Sequence, residues 1–192
     1  MRVIAGRLRG RGLKAPPGDA TRPTGARVKE ALFSILGDVT GLRVLDLYAG
    51  SGALGIEALS RGAAFALFVE AGRPAVISLR ENLSKLDLGA VSKLLPLRAE
   101  AAPLAAAGPF DLVLCDPPWR DAQAALDLLD QLARQGVFAP DARVVLEHAA
   151  KDTLAAPPAL EVRDERRWGD TAITFFRLAG PADAPVSTAP LT

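Results

Sequence analysis

Apolar positions along this chain alternate between two rhythms. Short continuous apolar runs occur at Val44-Leu45 with Leu47, at Phe65 to Val69 (FALFV), at Phe110 to Cys115 (FDLVLC) and at Ala142 to Leu146 (ARVVL), and they read as buried parallel strands. A weaker run covers Lys93 to Leu97. Between these runs the spacing becomes helical. Val28, Leu32, Phe33, Ile35 and Leu36 share a face that Gly37 ends, with Thr24 as the expected N-cap. Ala53 to Arg61 forms a helix stopped by Gly62, Pro74 to Leu86 carries Ala75, Ile77, Leu79 and Leu83 with Asn82 on another side, and Asp121 to Arg134 is amphipathic up to Gly136. Val162 to Trp168 and Thr171 to Leu178, joined at Gly169-Asp170, read as a terminal hairpin. The fold class is therefore α/β: a doubly wound, mostly parallel, seven-stranded sheet with one antiparallel edge. The opening alternates as well, with Arg2 to Ala5 and Arg11 to Lys14 flanking Gly6, which predicts a small N-terminal basic β-hairpin. The expected organisation is a hairpin extension over 1–24, a main domain over 25–178 and a flexible tail over 179–192.

Composition narrows the classes. A chain of 192 residues with 49% hydrophobic and 23% charged residues suits one soluble domain. Cys115 is its single cysteine, which excludes an internal disulfide or a cysteine-rich metal site and agrees with a cytoplasmic location; no metal is expected. No export signal or apolar run of roughly twenty residues points to a membrane. The net charge is +1, but the first 30 residues hold Arg2, Arg7, Arg9, Arg11, Lys14, Arg22, Arg27 and Lys29 against only Asp19 and Glu30. Such a local excess is a footprint for a polyanion, or else the solvated face of a hairpin. Charge alone leaves both open.

The chemistry concentrates in Arg43 to Gly55, RVLDLYAGSGALG, where an apolar strand runs into a turn carrying Gly50, Gly52 and Gly55. Glycines at this spacing supply positive φ, close backbone approach to a ligand, and tight packing of the next helix. Asp46 discriminates among the possible ligands: a carboxylate at the strand end repels a pyrophosphate and attracts a group carrying an ammonium and a sulfonium. Glu70 ends the second strand eighteen residues after Gly52, where an acid accepts hydrogen bonds from ribose hydroxyls. The fourth strand delivers Asp116-Pro117-Pro118-Trp119, seventy residues after Asp46. Asp46, Glu70 and Asp116 should face one crevice. His148 reads as a strand-end surface residue and Cys115 as core.

The pattern from Asp46 through Gly50 to Gly52 resembles the first motif of S-adenosylmethionine-dependent methyltransferases, and DPPW resembles the motif of enzymes that methylate an exocyclic amine of a base. That amine is a poor nucleophile until two acceptors hold its hydrogens. The Asp116 carboxylate and the Pro117 carbonyl would do so, while Trp119 stacks on a flipped or unpaired base. Over residues 2–177 the chain resembles the RsmD-type 16S rRNA guanine-N2 methyltransferases, through RVIAGRLRGRGLKAP, RPTGARVKEALFSIL, LDLYAGSGALGIEALSRGA, FVE, DPPW and WGDTAITFF. The resemblance implies a Rossmann-like fold binding S-adenosyl-L-methionine through Asp46, Tyr48, Gly50, Gly52, Glu70 and the backbone of Ala99. It further implies catalysis at Asp116, Pro117 and Trp119, and a 16S rRNA or assembling small-subunit substrate met by Arg7, Arg9, Arg11 and Arg22. The protein is expected to work as a monomer. The chain departs from the family at Ala26, often acidic there, at Trp119, often phenylalanine or tyrosine, and at Arg98, where the resemblance implies a small polar adenine reader. Guanine N2 as the target comes from the resemblance alone. The competing readings are a DNA adenine-N6 or cytosine-N4 methyltransferase, a silent cofactor- or RNA-binding protein, and a dehydrogenase.

Overall fold

The computed structural model describes residues 1–17, 25–155 and 157–180. The seven strands are β1 (Arg43–Leu47), β2 (Phe65–Val69), β3 (Ser92–Leu95), β4 (Phe110–Cys115), β5 (Phe138–Ala149), β6 (Leu160–Trp168) and β7 (Thr171–Leu178), and they form one sheet in the order β3-β2-β1-β4-β5-β7-β6. Strands β1 to β5 pair in parallel, whereas β7 runs antiparallel to both of its neighbours. The antiparallel strand is thus not the edge. β7 (TAITFFRL) is mainly apolar and mostly buried, while β6 (LEVRDERRW) is charged and mostly exposed, so the apolar strand takes the interior place and the charged one blunts the rim. Pairing with β7 as far as Ala149 also explains why β5 outruns the expected 142–146.

Successive strand residues face opposite sides, which splits the core in two. Val44, Phe68, Leu114, Val145 and Ile173 face α1 (Ala26–Leu36), α2 (Ala53–Ser60) and α3 (Arg73–Lys85). Leu45, Leu47, Val113 and Leu146 face α4 (Ala122–Arg134). Thr24, the expected cap of α1, lies outside the described residues, as do residues 181–192 of the expected tail; Gly25 occupies the N-cap position.

The basic opening forms a loop closed by the single antiparallel bridge Arg2–Gly12, with Val3 and Leu13 buried in the first core. It is held largely by side chains. Glu57 of α2, fully buried, accepts the amides of Ile4 (2.8 Å) and Ala5 (2.9 Å) and pairs with Lys29 of α1 (3.0 Å) and Arg61 (2.9 Å). Lys29 Nζ also donates to the Arg2 carbonyl at 3.0 Å. Asn82 of α3 accepts the Lys14 amide and donates to the carbonyls of Lys14 and Ser51. These clamps escape a reading by apolar period. A signal was nevertheless present: Glu57 interrupts the apolar ALGIEALS, and Lys29 lies on the stripe of Leu32, Phe33 and Leu36.

Candidate active site

Because helices α1 to α3 run back from the carboxyl edge of the sheet to its amino edge, the loops after β1, β2 and β4 meet at one rim. The chain reverses its winding between β1 and β4, the topological switch point where open α/β sheets bind ligands. Leu47 is in register with Val69 on one side and Cys115 on the other, so Tyr48, Glu70 and Asp116 each take the next step and stand in a row across three adjacent strand ends. Two of the three expected acids are thereby brought together, and Asp46 lies two residues below that row, inside β1.

The glycine turn divides its labour. The Ala49 amide bonds the Val69 carbonyl (3.1 Å) and the Gly52 amide bonds that of Ala49 (2.7 Å), folding the chain tightly into α2. A Cβ on Gly52 would lie 2.3 Å from Leu79, and one on Gly55 would lie 2.4 Å from Phe68, so both glycines let α2 pack against the sheet and α3. Gly50 is different. At φ +56° a Cβ there would meet nothing nearer than the Tyr48 carbonyl at 4.0 Å, which leaves the backbone open to an approaching ligand.

The carboxylates are already engaged. Glu70 accepts the Gly50 amide through Oε2 (2.7 Å) and the Gly72 amide through Oε1 (2.6 Å). Asp46 is buried and accepts the Gly55 amide at 2.9 Å, stapling the first turn of α2 to β1. Desolvation drives its pKa well above the usual carboxylate range. The Gly55 amide offsets part of this, and the charges of Asp116 and Glu70 push it further up. A cation nearby would relieve that penalty.

Tyr48 holds φ +56°, a left-handed conformation that costs a non-glycine residue about 1–3 kcal/mol. Its phenol donates to Glu100 at 3.2 Å, which ties the turn after β1 to the short helical turn Ala99–Ala101 after β3. Burial, then the neighbouring Cys115 and Glu100, push the phenol pKa up. Ala99 is buried at the start of its turn, beside this tie. Arg98 points outward, its side chain 83% exposed and 3.8 Å from Glu100.

At the end of β4 the Asp116 amide bonds the Leu47 carbonyl (3.4 Å), Pro117 is buried, and Asp116 and Trp119 are half-buried. Trp119–Asp121 forms a single 3-10 turn closed by the Asp121 amide on the Pro118 carbonyl (2.7 Å), and α4 follows at once. The two prolines and this turn hold the segment stiffly at the switch point. Cys115 is buried, and desolvation raises its thiol pKa. His148 is also buried rather than at the surface, bonded to Thr174 Oγ1 at 2.9 Å, because β7 covers the end of β5. Glu147, buried and one register step beyond the Cys115–Leu146 pair, is a further acid at this rim that the apolar pattern did not single out.

The arginines of the opening lie elsewhere. Arg7 donates its amide to the carbonyl of Ser60 at 2.8 Å, Leu8 bonds the Ser60 hydroxyl, and Ser60 is the last residue of α2. The loop that carries Arg7, Arg9 and Arg11 thus sits at the amino edge of the sheet, a helix length from the crevice. Arg22 falls outside the described residues. No group of three or more His, Cys, Asp or Glu able to hold a metal ion occurs among the described residues, and no helix there is long and apolar enough to cross a membrane.

Comparison with known proteins gives a consistent result. The family model described as Conserved hypothetical protein 95 matches residues 1–177. Ribosomal RNA small subunit methyltransferase D of Escherichia coli strain K12 is 36% identical over 190 residues, covering 96% of this chain and 94% of that protein. YlbH of Bacillus subtilis, named as a candidate rRNA methyltransferase, is 36% identical over 187 residues, covering 94% of this chain and all of its own length. Among solved structures, Escherichia coli yhhF, described as a candidate methyltransferase, superposes with a TM-score of 0.80 at 32% identity, covering 93% of this chain and 97% of that one.

Proposed function

Since the chain belongs to the Conserved hypothetical protein 95 family, the RsmD family that its motifs resemble, we propose that it is an S-adenosylmethionine-dependent rRNA methyltransferase acting on the exocyclic N2 amine of a guanine in 16S rRNA. The observation that carries this reading is the row of Tyr48, Glu70 and Asp116 across three adjacent strand ends at the switch point, with Gly50 open beside it and the rigid Pro-Pro-Trp segment following. The residues suit the cofactor. Gly50 lets its backbone approach, Glu70 is placed for ribose hydroxyls, Ala99 and Tyr48 stand on the side of β3 for the adenine, and the strained burial of Asp46 favours a cationic methionyl group. S-adenosylmethionine, when bound, supplies an electrophilic methyl group.

The remaining work belongs to the chain. Asp116 accepts one amine hydrogen and the Pro117 carbonyl the other, drawing the nitrogen out of conjugation and directing its lone pair. Trp119 supplies the plane on which the flipped base stacks. The proton lost after transfer passes to solvent or transiently to Asp116. Residues 25–178 carry this chemistry. The loop of Arg7, Arg9 and Arg11 would contact RNA backbone away from the target base. A cytoplasmic monomer meeting naked rRNA or an assembling small subunit completes the proposal.

The test is methyl transfer from labelled S-adenosylmethionine to unmodified small-subunit particles, naked 16S rRNA and duplex DNA, followed by digestion to nucleosides. N2-methylguanosine from rRNA or particles is expected. Label appearing in DNA as N6-methyladenine or N4-methylcytosine would overturn the substrate, and no transfer to any of them would overturn the activity.

A further inference from the structure

We propose that Arg120 grips the RNA phosphate flanking the target nucleotide, and so positions the base on Trp119; this rests on the rRNA methyltransferase reading. The crevice is acidic. Glu70 and Asp116 stand at its strand ends, Asp46 is buried beneath them, and Glu147 is buried within β5 one register step past Leu146. Such a lining suits a cationic cofactor and a neutral base, and it repels the phosphates on either side of that base. Cations must therefore meet the backbone at the rim.

The basic loop is in the wrong place to do so. Arg7 hangs from Ser60, the last residue of α2, whose eight residues put about 12 Å between that anchor and the glycine turn, and Arg9 and Arg11 follow in the same loop. Among the described residues, Arg120 is a cation next to the base platform. Its backbone is fixed by the two prolines before it, by the Asp121 to Pro118 hydrogen bond around it and by α4 after it, so its reach is set relative to Trp119. Its side chain is 85% exposed, and its contact with Asp121 is loose, at 3.6 Å. An exposed pair of this kind contributes little. A phosphate, which takes a guanidinium through two parallel hydrogen bonds, would readily replace it.

Arg98 provides a matched control on the same rim. It is equally exposed (83%) and leans as loosely on Glu100 (3.8 Å), but it follows β3, which is three strand spacings, about 14 Å, from β4. A general electrostatic field would make the two arginines equivalent, whereas a specific grip beside Trp119 would not.

The experiment compares Arg120→Ala and Arg98→Ala with the unaltered protein in methyl transfer to rRNA across a range of KCl concentrations. Arg120→Ala is expected to raise the KM for RNA about 5- to 10-fold at low salt. It should leave kcat and the Kd for S-adenosylhomocysteine within about twofold, and reduce the slope of log KM against log salt by about 0.7 to 0.9, the value of one phosphate contact. Arg98→Ala should change KM less than twofold. An unchanged KM and slope in Arg120→Ala, or an equal shift in Arg98→Ala, would overturn the assignment. If the unaltered protein methylates no RNA, the functional reading itself fails, and RNA-binding salt slopes of the same two variants then decide Arg120 separately.

Discussion

Replacing Glu57 by glutamine should destabilise the protein far more than an isosteric change normally does. The carboxylate is fully buried and takes four donors: two amides of the opening loop and the cations of Lys29 and Arg61. Lys29 is 5% exposed. The amide substitution removes the countercharge of a lysine that cannot reach water, and it turns an NH2 group toward at least one of the donors. Breaking a buried pair in this way costs about 3–5 kcal/mol. For a chain of this size each kcal/mol lowers Tm by about 2–4 °C, so a fall of roughly 6–20 °C is expected in thermal unfolding followed by circular dichroism. The same measurement carries a pH signature. Burial alone would raise the Glu57 pKa, but the Ile4 amide, the charge of Lys29 and the hydrogen bonds from Lys29 and Arg61 outweigh it and hold the carboxyl below its usual value of 4.5. A depressed folded pKa gives stability that is fully present above the unfolded value and is lost as pH falls through the folded one. The gap between the two proteins should therefore be widest above pH 4.5 and close as pH falls below it. Replacing Lys29 by methionine together with Glu57 by leucine should cost less than the two single changes added. A Tm loss under 2 °C for Glu57→Gln, or full additivity in the double variant, would refute the reasoning.

Asp116→Ala should keep S-adenosylhomocysteine affinity within about threefold while lowering kcat at least 100-fold, and Trp119→Ala should lower kcat/KM about 10- to 100-fold, with Trp119→Phe close to the native enzyme; calorimetry and transfer assays separate these, and loss of cofactor affinity in Asp116→Ala would refute its assignment. Binding of S-adenosylmethionine should release protons, since its positive charge lowers the raised pKa of Asp46, and affinity should rise as pH rises; titrations in buffers of different ionisation enthalpy measure the proton count, and proton uptake would contradict the direction of the Asp46 shift. Neutralising Arg7, Arg9 and Arg11 together should weaken RNA binding and flatten its salt dependence while leaving kcat at saturating RNA unchanged, and a fall in kcat would mean that the loop reaches the crevice.

The strands and helices that build the site were legible in the sequence because each buries a face whose period is visible in single residues: FALFV and FDLVLC are strands wherever they are placed, and the glycines of RVLDLYAGSGALG announce a turn that only glycine can make. The acids at strand ends were legible for the same reason, since a charge at the end of an apolar run lies at the rim of a sheet. What tertiary structure alone decided was adjacency. Strand order brought Glu70 and Asp116 to either side of Tyr48, and the competition between an apolar β7 and a charged β6 settled which of them lies inside. Helix direction carried the loop of Arg7, Arg9 and Arg11 to the edge opposite the crevice. Burial gave Glu57 and Lys29 to each other: each stands on an apolar face in the sequence, but only the packing of α1 on α2 makes them partners. Local patterns record what a segment does to water; which segment becomes its neighbour depends on how all of them pack together, and no single stretch of the chain contains that information.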